Sequence, residues 1–293
     1  MNVKDELRAK ARDVEAFLAD CLNHRNIPER LRAAMDYSLM AGGKRLRPVL
    51  VLVWAELLGL DPEAAMPFAA SLELIHTYSL IHDDLPAMDN DDLRRGKPTN
   101  HKQFDEATAI LAGDGLLTEA FGLMLSAALP PERVVSAAQA VAEAAGARGM
   151  VGGQVLDMQY TGKDAVSLEE LKTMHSMKTG ALITVSCLAG AILAGASAED
   201  LGRADRYGRA IGVSFQIVDD ILDVVGDEKT LGKPVGSDQG NDKTTYPKLL
   251  GLEESKRQAE KYRDKALECL APYQGVQADF LRALARYIVD RVQ

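Results

Sequence analysis

A chain of 293 residues with 47 % apolar and 26 % charged residues has the make-up of an ordinary soluble globular protein, long enough to bury a sizeable core. Its formal net charge of −9 argues against a nucleic-acid-binding surface, for which a basic patch is the expected footprint. Cys21, Cys187 and Cys269 lack metal-site spacing and read as buried thiols of a reducing compartment; with a charged N-terminus that has no apolar signal core, a cytoplasmic location is expected.

Helical spacing recurs almost everywhere, and no segment alternates apolar and polar residues as a strand would, so the expected class is all-α. Amphipathic helices are predicted over residues 4–23 and 28–40. Gly42-Gly43 breaks the second, and Lys44-Arg45-Leu46-Arg47-Pro48 leads into an apolar run over 49–58. Asp61-Pro62 is an N-cap followed by a first-turn proline, opening a helix to about residue 84 that Pro86 ends. Further helices are predicted over 106–128, 131–145 and 146–160. Ser167/Glu170 and Ser197/Asp200 read as capping boxes opening two more, with a helix over 178–194 between them. The weakly polar run 181–196 falls short of the roughly 20 residues a membrane span needs and reads as a core helix. Residues 226–245, rich in glycine with Lys233 and Lys243, read as a long binding loop or lid. Helices over 253–270 and 274–292 close the chain, and no linker interrupts it, so 1–293 is expected to be one domain.

Two acidic motifs stand out. The first sets Asp83, Asp84, Asp89, Asp91 and Asp92 at a helix end, followed at once by Arg94 and Arg95. At an effective dielectric near 20, two carboxylates 4 Å apart repel by about 4 kcal/mol, so such a group calls for counter-charge. A hard divalent cation that takes oxygen ligands is the usual supplier, and arginines suit phosphate oxygens. An isolated acidic run is more often solvated surface, but Asp219, Asp220 and Asp223 repeat the theme inside an apolar helix. On that helix Gly208, Gly212, Gln216 and the three aspartates share an arc of roughly 120°, which is expected to face an internal cavity. Basic and polar stations are available to match: Lys44, Arg45 and Arg47; Arg94 and Arg95; Lys178-Thr179-Gly180; Lys233 and Lys243; and His76, about 20° from Asp83 around its helix.

Gly42-Gly-Lys-Arg-Leu-Arg-Pro48, the Asp83 motif with its four-residue spacer and Arg-Arg-Gly, Gly152-Gly-Gln154, Lys178-Thr-Gly180 and Phe215-Gln-x-x-Asp-Asp-x-x-Asp223 resemble the trans-prenyl diphosphate synthases, bacterial short-chain farnesyl diphosphate synthases above all. The resemblance spans nearly the whole chain. It implies an isoprenoid-synthase-type bundle of ten or more helices around a deep cavity, a homodimer, and magnesium-dependent head-to-tail condensation of isopentenyl diphosphate with dimethylallyl or geranyl diphosphate. Three magnesium ions are implied, with manganese able to replace them. By the same resemblance Asp83, Asp89 and Asp219 are direct metal ligands and Asp84, Asp220 and Asp223 support them, all six being catalytic together with Lys178. Arg94, Lys178, Thr179, Gln216 and Lys233 hold the allylic diphosphate; Lys44, Arg47, His76 and Arg95 hold isopentenyl diphosphate. The released diphosphate takes the final proton.

Product length turns on the helix beneath Asp83. Ideal angles place Ser79 about 40° from Asp83 and Tyr78 about 140° away, which makes Ser79 the floor of the cavity. The family pattern ties an aromatic residue five before the first aspartate to a fifteen-carbon stop, which favours farnesyl over geranylgeranyl diphosphate. Three rivals remain: a terpene cyclase, whose second metal motif would carry Asn, Ser and Glu; a di-iron bundle, since Glu73-x-x-His76 is one half of its signature; and a non-catalytic partner subunit.

Overall fold

Helical spacing in the sequence becomes helices in the structure, a computed structural model that describes residues 2–23, 26–163, 165–225 and 243–292. In chain order they are α1 Val3–Asp20, α2 Glu29–Leu39, α3 Leu46–Leu57 and α4 Pro62–Asp83. A two-stranded hairpin follows, β1 Leu93–Arg94 and β2 Lys97–Pro98, then α5 Asn100–Gln103, α6 Glu106–Leu125, α7 Pro131–Ala145, α8 Met150–Tyr160 and α9 Leu168–His175. A π turn, Ser176–Gly180, runs directly into α10 Ala181–Ala194. The chain closes with α11 Ala198–Val225, α12 Tyr246–Leu250, α13 Leu252–Cys269 and α14 Val276–Asp290. Most of the predicted loop over 226–245 lies outside the described residues, Lys233 included.

α3 and α10 are the axis of the packing. Val51, Leu52 and Ala55 of α3 and Leu182, Val185 and Ala189 of α10 join one apolar core with α1, α2, α4, α6 and α7. Val49, Leu50 and Trp54 of α3 and Ile183, Cys187 and Ala191 of α10 join a second core with α11, α13 and α14. Both helices therefore present apolar residues to two cores at once, as central helices do. Trp54 is fully buried and meets Tyr207 and Tyr273 edge-on at 5.6 and 6.0 Å. Removing its ring would cost about 3–5 kcal/mol.

Several boundaries follow their sequence signals. Asp61 caps α4 through the Glu63 amide, and Ser167 and Glu170 form the expected reciprocal box. The differences have local causes. α8 starts at Met150 rather than 146, because the chain folds tightly at Gly149, where a methyl group would lie 2.0 Å from the Ala144 carbonyl oxygen. The predicted helix over 178–194 is the second half of one continuous helical rod, Leu168–Ala194, long and apolar enough to cross a membrane but mostly buried in the core. α6 passes the same test of length and apolar character and is less buried. Of the three cysteines only Cys187 is buried; Cys21 and Cys269 are half-buried, and no disulfide joins any of them among the described residues.

Candidate active site

The first acidic motif is shaped by the end of α4. With Pro86 barring another turn, the chain folds back so that the Asp89 amide donates to the Asp83 carbonyl at 2.8 Å, and Asn90 takes the left-handed conformation. Asp83 and Asp89, six residues apart, are thereby neighbours. The Asp83 carboxyl is pushed up to about 6, first by burial and further by Asp89 and Asp84, against the opposing charge of Lys178. Asp84 is buried and receives the Arg94 guanidinium in forked fashion, Nη2 at 2.6 Å and Nε at 2.9 Å. The hairpin carries Arg94 and Arg95 into place. Its two-residue loop, Arg95 and Gly96, has positive φ at both positions, as a type I′ turn requires. No strand was expected here; the Arg-Gly pair between short polar runs is the signal that could have found it.

Two turns before Asp83 on α4, a basic group surrounds His76. Arg95 reaches back to the Gly42 carbonyl, and Arg47 is half-buried with its Nε unpartnered among the described residues. His76 lies on the same helix as Asp83, its pKa held well below the usual value by burial and by Arg47, Arg95, Arg94 and Arg45, so the ring is neutral at pH 7. The Lys44 ammonium is lowered by desolvation and by Arg291, against Asp219, which brings it close to the second acidic motif.

The Lys178 charge reaches Asp83 from the π turn. Its wider backbone carries Lys178 and Thr179, as π turns often carry functional side chains. α8 lies directly on it: a methyl group at Gly153 would sit 2.2 Å from the Lys178 backbone nitrogen, so only glycine fits this approach. Lys178 Nζ lies 2.5 Å from Asp157, and Lys243 Nζ lies 3.6 Å from the same oxygen. The two ammonium groups hold the buried Asp157 carboxyl below its usual value against desolvation. Thr179 Oγ1 donates to Gln216 Oε1 at 3.1 Å, and Gln216 Nε2 donates to Asp220 at 2.9 Å. Asp157, Lys178, Thr179, Gln216, Asp220 and Lys243 line a cavity of about 150 Å³.

The polar arc of α11 is not wholly a cavity face. Gly208 and Gly212 are a seam against the helical rod, where side chains would strike Thr184 and Gly180, and Asp220 and Asp223 are buried. Asp220 also accepts from the Tyr246 amide at 2.9 Å, anchoring α12. Asp219 is half-buried, 3.0 Å from Arg291 Nη1 at the end of α14. Tyr78 is buried beneath Asp83, edge-on to His82 at 5.7 Å, its hydroxyl pushed up to about 12 by burial and then by Asp83. Ser79 is half-buried and donates to the His76 carbonyl.

Residues 28–275 match the family described as polyprenyl synthetase. The chain belongs to that family. This polyprenyl synthetase is 50 % identical over 255 residues to the farnesyl diphosphate synthase of Geobacillus stearothermophilus, covering 86 % of each chain. It is also 50 % identical over 266 residues to a chloroplastic geranylgeranyl pyrophosphate synthase of Capsicum annuum, covering 90 % of this chain and 72 % of that one. Among solved structures it resembles the geranyltransferase of Legionella pneumophila, with a TM-score of 0.88 and 37 % identity over 99 % of this chain and 97 % of that one.

Sequence reasoning missed Asp157 and Arg291 in this polyprenyl synthetase. Asp157 could have been found as a lone carboxylate three residues after Gln154 on an otherwise weakly polar helix. Arg291 gave no signal, because only the tertiary fold brings the C-terminus to Asp219.

Proposed function

We propose that this polyprenyl synthetase condenses isopentenyl diphosphate with dimethylallyl and geranyl diphosphates, giving farnesyl diphosphate and diphosphate. One observation carries the reading: α4 meets two cationic groups, Lys178 and Arg94 acting on Asp83 and Arg47 and Arg95 acting on His76 two turns earlier. Two diphosphates, one to ionise and one to keep, need two such groups. Lys178, Thr179, Gln216 and Arg94 hold the allylic diphosphate, with Lys233 expected to join them. Lys44, Arg47, Arg95 and neutral His76 hold isopentenyl diphosphate.

The donor set suits a hard divalent cation. It is all oxygen, and the Asp83 carboxyl, raised first by burial and further by its neighbour Asp89, is a group whose charge a bound cation would stabilise. Among the described residues no three carboxylate, histidine or thiol groups stand close enough to hold an ion unaided, so diphosphate oxygens and waters would complete the coordination. Asp83, Asp89 and Asp219 would hold magnesium, which stabilises the charge that develops on the departing diphosphate. Lys178 and Arg94 add fixed positive charge at the same oxygens. Glu73, the first half of the di-iron signature, is paired with Arg45, which leaves that rival without a ligand.

A homodimer fits the surface. Ile110, Leu111 and Leu125 on α6 and Val151, Val155 and Met158 on α8 are exposed large apolar residues at helical spacing, the kind of patch that marks an interface. A cytoplasmic location and a single domain over 1–293 belong to the same reading. Geranylgeranyl diphosphate is the second reading, favoured by small Ser79 below Asp83. The test is incorporation of labelled isopentenyl diphosphate into geranyl diphosphate, with magnesium and with excess chelator. Transfer that survives chelator would overturn the metal assignment, and no transfer with magnesium would overturn the function.

A further inference from the structure

The basic group beside His76 contains Arg45, Arg47 and Arg95, and the fold supplies them with one fully buried carboxylate, Glu73 of α4, at 2 % exposure. Glu73 Oε1 lies 2.7 Å from Arg45 Nη1. The same guanidinium donates from Nη2 to the Leu39 carbonyl at the end of α2, at 2.8 Å, and its Nε lies 3.4 Å from Glu15 of α1. One side chain thus ties α1, α2 and α4 to the loop between α2 and α3. Arg45 takes the left-handed conformation, φ 50°, ψ 35°, which costs a non-glycine residue about 1 kcal/mol or more and persists only where surroundings fix it. Arg47 and Arg95 both feel the Glu73 charge as attraction, against repulsion from Arg95 on Arg47 and from Arg45 and Arg94 on Arg95.

A buried ion pair is weak evidence for stability, since desolvation offsets most of its attraction. Its place here suggests another role. We propose that Glu73, acting through Arg45, is a positioning residue of the isopentenyl diphosphate site, holding the loop before α3 and the first turn of α3, residues 42–47, against α4 so that Lys44, Arg47, Arg95 and His76 converge on one diphosphate. The inference rests on the assignment of that site to isopentenyl diphosphate. Glu73 and His76 are one turn apart on α4, so the anchor and the ligand it serves share a rigid element. Arg45 is a pin rather than a ligand: its side chain is 1 % exposed, and its guanidinium is taken up by Glu73, Glu15 and the Leu39 carbonyl.

The test measures steady-state kinetics and equilibrium binding of isopentenyl diphosphate for Glu73→Gln, Arg45→Met, the double variant and Arg47→Ala. Glu73→Gln and Arg45→Met should each raise KM and the dissociation constant for isopentenyl diphosphate about tenfold or more, the scale of one hydrogen bond to a charged group. KM for the allylic diphosphate should stay within about twofold. The double variant should be no worse than the poorer single one, because both break the same contact. Equal changes in both KM values, or a loss of thermal stability with both KM values unchanged, would overturn the positioning role. If Arg47→Ala also leaves isopentenyl diphosphate binding unchanged, the site assignment itself fails. Should Glu73→Gln not fold, Glu73→Asp keeps the charge and shortens the reach; it must still raise KM for isopentenyl diphosphate alone, and a wild-type value would refute the proposal.

Discussion

Replacing Asp83 by asparagine should stabilise the metal-free protein at neutral pH while removing its activity. The Asp83 carboxyl has a folded value of about 6 against an ordinary 3.8. A raised acid contributes stability that is fully present below the unfolded value and is lost as pH rises through the folded one. Above pH 6 the wild type therefore carries a buried charge that asparagine does not. A shift of roughly two units at 1.36 kcal/mol each sets an upper bound of about 3 kcal/mol at pH 7.5 and about 1 kcal/mol at pH 4.5. Solvent screening at a half-buried group brings the neutral-pH gain to about 1.5 kcal/mol, or about 2–3 °C for a chain of this length. The assay is thermal unfolding of both proteins in chelator across that pH range, followed by magnesium addition. The variant should gain at neutral pH, lose most of the gain in acid, and turn over more than about 100-fold more slowly. A variant no more stable than wild type at pH 7.5, or a gain independent of pH, would refute the charge argument.

Asp157→Asn should act in the opposite sense: its carboxyl is depressed by Lys178 and Lys243, so its stabilisation is present at neutral pH and lost in acid, and removal should cost about 1–2 kcal/mol and raise the allylic KM, as read by unfolding and kinetics. Gly153→Ala would stabilise an ordinary helix by up to about 1 kcal/mol, but here the added methyl meets the Lys178 backbone, so unfolding should show a loss of about 1–3 kcal/mol; a gain would mean that α8 does not lie on the π turn. Sedimentation equilibrium at micromolar concentration should give twice the chain mass of 31.7 kDa, and a monomer would contradict the proposed interface.

Much of the scaffold was legible because its signals are local. Asp61-Pro62, Pro86 and the Ser167/Glu170 box each act within one turn, and the fold-back that joins Asp89 to Asp83 follows from the proline alone. The π turn was not legible, since it depends on α8 pressing through Gly153 and on the seam with Gly212, both contacts between distant segments. The α11 arc illustrates the same limit. Angle counting put six residues on one face, but it could not separate the two glycines that make a helix seam from the aspartates beyond them. The roles of Glu73, Asp157 and Arg291 likewise depend on partners 28, 21 and 72 positions away.

The chain-length question tests the account most directly. Tyr78 is buried on α4 five residues before Asp83 with its ring against His82, whereas Ser79 turns its hydroxyl back to its own helix. The decisive measurement incubates the protein with dimethylallyl diphosphate, excess isopentenyl diphosphate and magnesium, and sizes the products of the wild type and of Tyr78→Ala. A fifteen-carbon product from the wild type and longer products from the variant are predicted; a twenty-carbon product from the wild type, or no condensation at all, would contradict the account.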